Sequence, residues 1–418
     1  MQTRLWLLVL VTIPCNLFAP GKGSETATSA QAKYTFPKNS ADNKMIGFGW
    51  FKDGFALEDA TTACQFDSAF PVSGTVTLNG GTLSLTKDLI FNSNTSIESL
   101  GVIVGNGYRF DLSSSVTYLP ADTVSFENTK LYFNDTLETR SPITFKGTSL
   151  ICGNGNTLVL DDTSSIIVEA GGSLTLRNMN IVGLAGTNIR CLDNTGTIVL
   201  DNCSWFFDDD VTFTCGKLLF TGENGFFGSH IFAYQSPLAS TIQRYASLLL
   251  DQGVTFSYDP QGSDSKELFA FADATAELIM QGSTLHATLV GLNLTKGTLR
   301  IRDKVSLSSE VQGAVDEGIT FGNESAGSDL MCDIGADSVL QVVQGSYNYK
   351  NVAAKAWSIK NNLSTLSIGD NATFRLYQSM DNSKGILRFG QGAIFARVPG
   401  KKVTGAIHAS GTFSFATL

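Results

Sequence analysis

The sequence predicts an all-β solenoid, a rod of stacked strand turns, on three observations. The first is a recurring apolar–x–apolar triplet. It appears at Leu174-Leu176, Ile198-Leu200, Leu218-Phe220, Leu248-Leu250, Leu278-Met280, Leu299-Ile301, Ile319-Phe321, Leu340-Val342, Leu366-Ile368 and Leu387-Phe389. Successive starts are 24, 20, 30, 30, 21, 20, 21, 26 and 21 residues apart. A spacing near 21 to 24 suits one solenoid turn, which buries its core against the next. The second observation is composition. Hydrophobic residues make up 43% and charged residues 16%, with 41 Gly and only 9 Pro. A coiled coil or a disordered chain needs far more charge. The third is punctuation: Asn79-Gly80-Gly81, Asn106-Gly107, Gly153-Asn154-Gly155, Gly171-Gly172 and Asn224-Gly225. Such steps supply the positive φ that tight corners need.

Taken in order, residues 1–19 read as an export signal. Met1–Arg4 is a short positive region, Leu5–Ile13 an apolar one, and Ala19 a small residue beyond them. Nine apolar residues are too few to span a bilayer, and no later stretch predicts a transmembrane helix. Pro14 stands where a lipid-attachment signal at Cys15 would want a small residue. Residues 20–45, rich in Ser, Thr, Ala and Lys, read as a flexible leader. Residues 46–73 concentrate Phe48, Trp50, Phe51, Phe55, Phe66 and Phe70. A solenoid's end turn exposes core and strand edges, so this cluster reads as an N-terminal cap.

Turns are expected over 74–400, about 14 or 15 of them, and 401–418 reads as a C-terminal strand or cap. Val76-Thr77-Leu78 and Leu83-Ser84-Leu85 alternate apolar with hydroxyl residues, one face inward and one to solvent. The two 30-residue intervals exceed one turn and predict insertions at Gly222–Ser240 and Ser257–Lys266. Loops carry function more often than rungs, so a binding site is expected beside them.

The segment Ile166–Val182 packs a strand, a Gly-Gly corner, a second strand, an Asn bend and a third strand into one turn. With it the chain resembles the right-handed parallel β-helix proteins of the pectin-lyase-like superfamily, over residues 74–400. That resemblance implies a polysaccharide lyase or hydrolase, a tailspike or a surface adhesin, and the fold alone does not choose.

The densest constellation is Asp208-Asp209-Asp210, followed about one turn later by His230. Paired carboxylates can serve as acid and base in glycoside hydrolysis. Polygalacturonases on this fold carry Asn-Thr-Asp, Asp-Asp, Gly-His-Gly and Arg-x-Lys. This chain has, in that order, Asp193-Asn194-Thr195, Asp208-Asp209, Gly228-Ser229-His230 and Arg300-Ile301-Arg302. The first motif is reordered, the His lacks its second Gly, and the last position is Arg. Pectate lyases on this fold use clustered Asp with calcium and an Arg base. Asp208, Asp209 and Asp210 are therefore also calcium candidates, since hard cations take carboxylate oxygens.

Beyond the export signal lie Cys64, Cys152, Cys191, Cys203, Cys215 and Cys332, none in a CxxC pair, so zinc is not indicated. Cys191 and Cys215, one turn apart, read as either a disulfide or two stacked thiols. The remaining histidines are His286, in an alternating strand, and His408. No serine-hydrolase elbow, zincin helix or nucleotide-binding loop occurs. Seven Asn-x-Ser/Thr sequons match what chance gives in so Asn-, Ser- and Thr-rich a chain. A net charge of −9 with no basic cluster argues against nucleic acid. The expectation is an exported, non-catalytic, adhesin-like binding protein that takes a glycan or a host or cell-surface protein. A polysaccharide-active enzyme working at Asp208–Asp210 and a structural spacer are the alternatives.

Overall fold

The computed structural model describes residues 34–36, 44–46, 54–58, 62–67, 72–98, 101–112, 118–119, 124–259, 269–287, 292–294, 296–309, 317–321, 330–344, 355–359, 365–377, 380–400, 402–409 and 411–418. The export signal, most of the leader, the cap residues Phe48, Trp50, Phe51 and Phe70, and most of the Ser257–Lys266 segment lie outside them. Parallel pairing starts at Tyr34–Phe36, which lies against Gly54–Leu57, upstream of the first expected turn at Gly74.

The strands stack in parallel as a β-solenoid, with no helix among the described residues, and successive turns lie about 4.8 Å apart. In its central part each turn has three faces. One, called here the groove face, stacks Glu223–Phe227, Ser247–Leu250, Glu277–Gln281, Thr298–Arg302, Met331–Ile334 and Thr365–Ile368. A second stacks Ile231–Tyr234, Thr255–Tyr258, Thr284–Ala287, Lys304–Ser309 and Val339–Gln344. A third carries Lys217–Thr221, Ser240–Ile242 and Phe269–Phe271. The long strand Thr197–Phe213 runs across all three, pairing with a different partner on each.

In-register stacking lines up the inward residues of successive turns. On the groove face the column is Trp205, Phe226, Leu250, Met280, Ile301, Ile334 and Ile368, and all are buried. Each such side chain contributes about 1.5–3 kcal/mol when removed from water. Rings stack from turn to turn, as Trp205 on Phe226 at 5.3 Å and Phe213 on Tyr234 at 5.6 Å. Corners are made by Asn in the left-handed region. Asn128 and Asn202 have φ of 47° and 57°, and their Oδ1 atoms accept the backbone N–H of Thr148 and Glu223 on the next turn.

Two expectations change. The triplets do not all lie on one face, so they do not mark successive turns one for one. Leu299-Ile301 is on the groove face, while Ile319-Phe321 and Leu340-Val342 belong to other faces. The interval from Leu218 to Leu248 likewise hides a change of face. On its own face Phe220 pairs with Ile242, and Leu248 pairs instead with Asn224. Gly222–Ser240 is therefore no insertion: it holds regular strands, with Phe226, Phe232 and Tyr234 in the core. The interval from Leu248 to Leu278 is a true turn of 30 residues, in register.

Candidate functional site

Asp208, Asp209 and Asp210 fall where Thr197–Phe213 bends from the groove face, at Ser204–Phe206, to the second face, at Val211–Phe213. All three are exposed at this corner. The next turn bends at Gly228-Ser229-His230. A side chain at Gly228 (φ 106°) would strike the Phe207 carbonyl, so the bend needs glycine. Stacked corners bring His230 Nδ1 to 3.9 Å from Asp209 Oδ1 and 3.8 Å from Asp210 Oδ1. Both carboxylates already serve the backbone. Asp210 Oδ1 accepts the Ile231 N–H at 2.8 Å, and Asp209 Oδ1 accepts the Asp210 N–H at 2.8 Å.

One ligand atom from each of Asp209, Asp210 and His230 lies within 4.8 Å of the others. Asp208 is not part of that group. An imidazole nitrogen with two carboxylates suits zinc or nickel better than calcium, which takes six to eight oxygens. As an acid–base pair the two carboxylates stand on an outward bend, and neither lines the groove on the neighbouring face.

The other segments of the polygalacturonase-like order are separated and engaged. Asp193 accepts the Thr195 N–H at 2.8 Å and its hydroxyl at 2.6 Å, and these bonds hold its carboxyl below the usual carboxylate range. Arg300 forks onto Glu277 at 2.7 and 3.1 Å, and Arg300 and Arg302 both reach Asp333 at 3.6 Å. That ladder lies three strands along the groove face from Gly225. His286 Nδ1 is 2.6 Å from Ser308 Oγ on the second face, and His408 is exposed.

Cys191 and Cys215 are brought together. Both thiols are free, and that of Cys215 donates to the Cys191 carbonyl at 2.9 Å. Burial, with Cys215 and Asp193 nearby, pushes the Cys191 thiol up to about 12.

A groove of about 470 Å³ opens on the groove face, lined by Ser204, Glu223, Asn224, Gly225, Phe227, Ser247, Leu249, Glu277 and Ile279. Four stacked strands build it. Its floor is the outward column Gly225, Leu249 and Ile279. The Phe227 ring lies over Gly225, where an added Cβ would come 2.6 Å from the ring. Phe227 also stacks on Phe206 at 4.9 Å and 18°, and Phe206 is 36% exposed. Glu223 and Glu277 stand on its rim. Glu277 is paired with Arg300, whereas Glu223 is exposed and makes no ion pair among the described residues.

The expected loop contained Phe227 but missed Glu223's rim position, Leu249, Glu277 and Ile279. One signal for two of them was present. Leu248-Leu249-Leu250 and Leu278-Ile279-Met280 carry an apolar middle residue, whereas Leu299-Arg300-Ile301 and Leu366-Ser367-Ile368 carry a polar one. In a one-sided strand an apolar outward position marks a surface that something else covers. Compared with known proteins, the chain matches no family model, no curated protein and no solved structure.

Proposed function

We propose that this protein is an exported, non-catalytic binding protein of the pectin-lyase-like β-helix type, adhesin-like, which engages its ligand in the groove on the groove face. One observation carries the reading: the Phe227 ring packed against Gly225, next to aliphatic side chains facing outward on two successive turns. Concave sites with apolar walls and a few polar groups are the usual form of ligand pockets. The acidic corner supports the enzyme alternative less well, because Asp209 and Asp210 are exposed and hold backbone N–H groups, and none of the three carboxylates lines the groove.

Arrays of glycans and cell-surface proteins, probed with the wild type and with Gly225→Ala, test this reading. The new Cβ displaces the Phe227 ring without strain on the backbone, and signal on the retained ligand is expected to fall at least about fivefold, as for loss of a contact above 1 kcal/mol. Turnover of a uronic polysaccharide, abolished by Asp209→Asn, would establish the enzyme instead. Retention of nothing on either array would leave a structural spacer.

A further inference from the structure

We infer that the groove takes a basic, extended peptide segment, in which Lys or Arg side chains alternate with apolar ones. This inference rests on the binding reading above and names the class of its ligand. Donors and acceptors in the groove are unequal. The Asn224 amide is spent inside the protein: its Oδ1 accepts the Cys203 N–H and its Nδ2 donates to the Thr221 carbonyl. The remaining polar side chains are the hydroxyls of Ser204 and Ser247 and the carboxylates of Glu223 and Glu277. The Glu277 carboxylate already holds Arg300. Glu223 is left as the exposed anion on the rim, so the ligand must bring donors and positive charge.

The surroundings deepen that field. Asp208, Asp209 and Asp210 follow two residues beyond Phe206, and the whole chain carries −9. Like-signed charge along a cleft concentrates a cationic partner and repels an anionic one. The floor narrows the choice further. Leu249 and Ile279 present aliphatic surface, which suits the methylene stems and apolar side chains of a peptide. A strand's alternate side chains all point to one face. A guanidinium or ammonium can also sit over the face of Phe227. An acidic polysaccharide, by contrast, would set its carboxylates against Glu223.

The test is fluorescence anisotropy with a labelled ten-residue peptide of alternating Lys and Val, against a Glu/Val peptide and a glucosamine hexamer, all with the full chain. The Lys/Val peptide is expected to bind and the Glu/Val peptide not to. Glu223→Gln should weaken binding about three- to fivefold, the range of an exposed charge pair, and Phe227→Ala more than about fivefold. Raising the salt from about 0.05 to 0.5 M should weaken it further, while Asp209→Asn, away from the groove lining, should change it less than either. Thermal melts of the variants check that the fold is kept. Binding of the glucosamine hexamer alone, abolished by Phe227→Ala, would overturn the peptide inference and leave the groove as the binding site. Binding of the basic peptide unchanged in both groove variants would overturn it as well. If neither probe binds but an array ligand is still lost in Gly225→Ala, only the peptide class falls. If Gly225→Ala changes nothing on any array, the groove reading falls with it.

Discussion

Cys203 shows what a single buried residue does in this rod. It lies inward between stacked turns, 1% exposed, and its thiol donates to the Leu176 carbonyl at 3.0 Å. Burial pushes the thiol up to about 12, against about 8.5 in an unfolded chain. The folded state therefore prefers the protonated thiol. Its contribution is fully present below about pH 8.5 and is lost as pH rises toward 12. Cys203→Ala should remove this dependence, so the stability gap between wild type and variant should narrow between pH 8.5 and 12 in denaturant melts. A gap that stays constant over that range would contradict the assignment.

At the scale of the element, corners matter as much as strands. Asn202 turns the chain at φ 57° and accepts the Glu223 N–H of the following turn at 2.9 Å. Alanine there keeps the strained conformation and orphans the N–H. We expect Asn202→Ala to cost about 2 kcal/mol, from about 1 kcal/mol of left-handed strain and about 1 kcal/mol for the hydrogen bond, read as a shifted urea midpoint. Asn202→Gly should recover the conformational part only. The Asn and Gly punctuation was legible in the sequence because these residue types tolerate the left-handed region best, whereas corners at Tyr245, Asp303 and Asp337 carried no such mark. Which strands those corners separate was not legible. Leu218-Leu219-Phe220 and Leu248-Leu249-Leu250 look alike, yet they lie on different faces, since the true partner of the first is Ser240-Thr241-Ile242, whose leading Ser hides it.

The whole molecule behaves as a stack in which each turn touches mainly its neighbours, so damage should stay local. Phe226 lies in the stack with Trp205, Phe232 and Phe256. Phe226→Ala should cost about 3–5 kcal/mol, and hydrogen exchange should lose protection in Thr197–Phe213, Glu223–Phe227 and Ser247–Leu250. The distant turns at Thr365–Ile368 and Thr373–Leu376 should keep theirs. Uniform loss across the chain would mean that the rod unfolds as one unit.

By itself the sequence determined the architecture. A parallel stack repeats the same inward position every turn, and such repetition is readable along one dimension. Asp209, Asp210 and His230 could be placed near one another for the same reason, since they fall about a turn apart. The tertiary structure alone decided which outward residues share a surface. Gly225, Leu249 and Ile279 are neighbours only because turns of 24 and 30 residues bring them into register, and no spacing rule announces a register when turn lengths vary. It also decided that the acidic run sits on an exposed bend while the groove opens on the face beside it. Whether a position is concave depends on side chains from several turns at once, and a single stretch of sequence does not contain them.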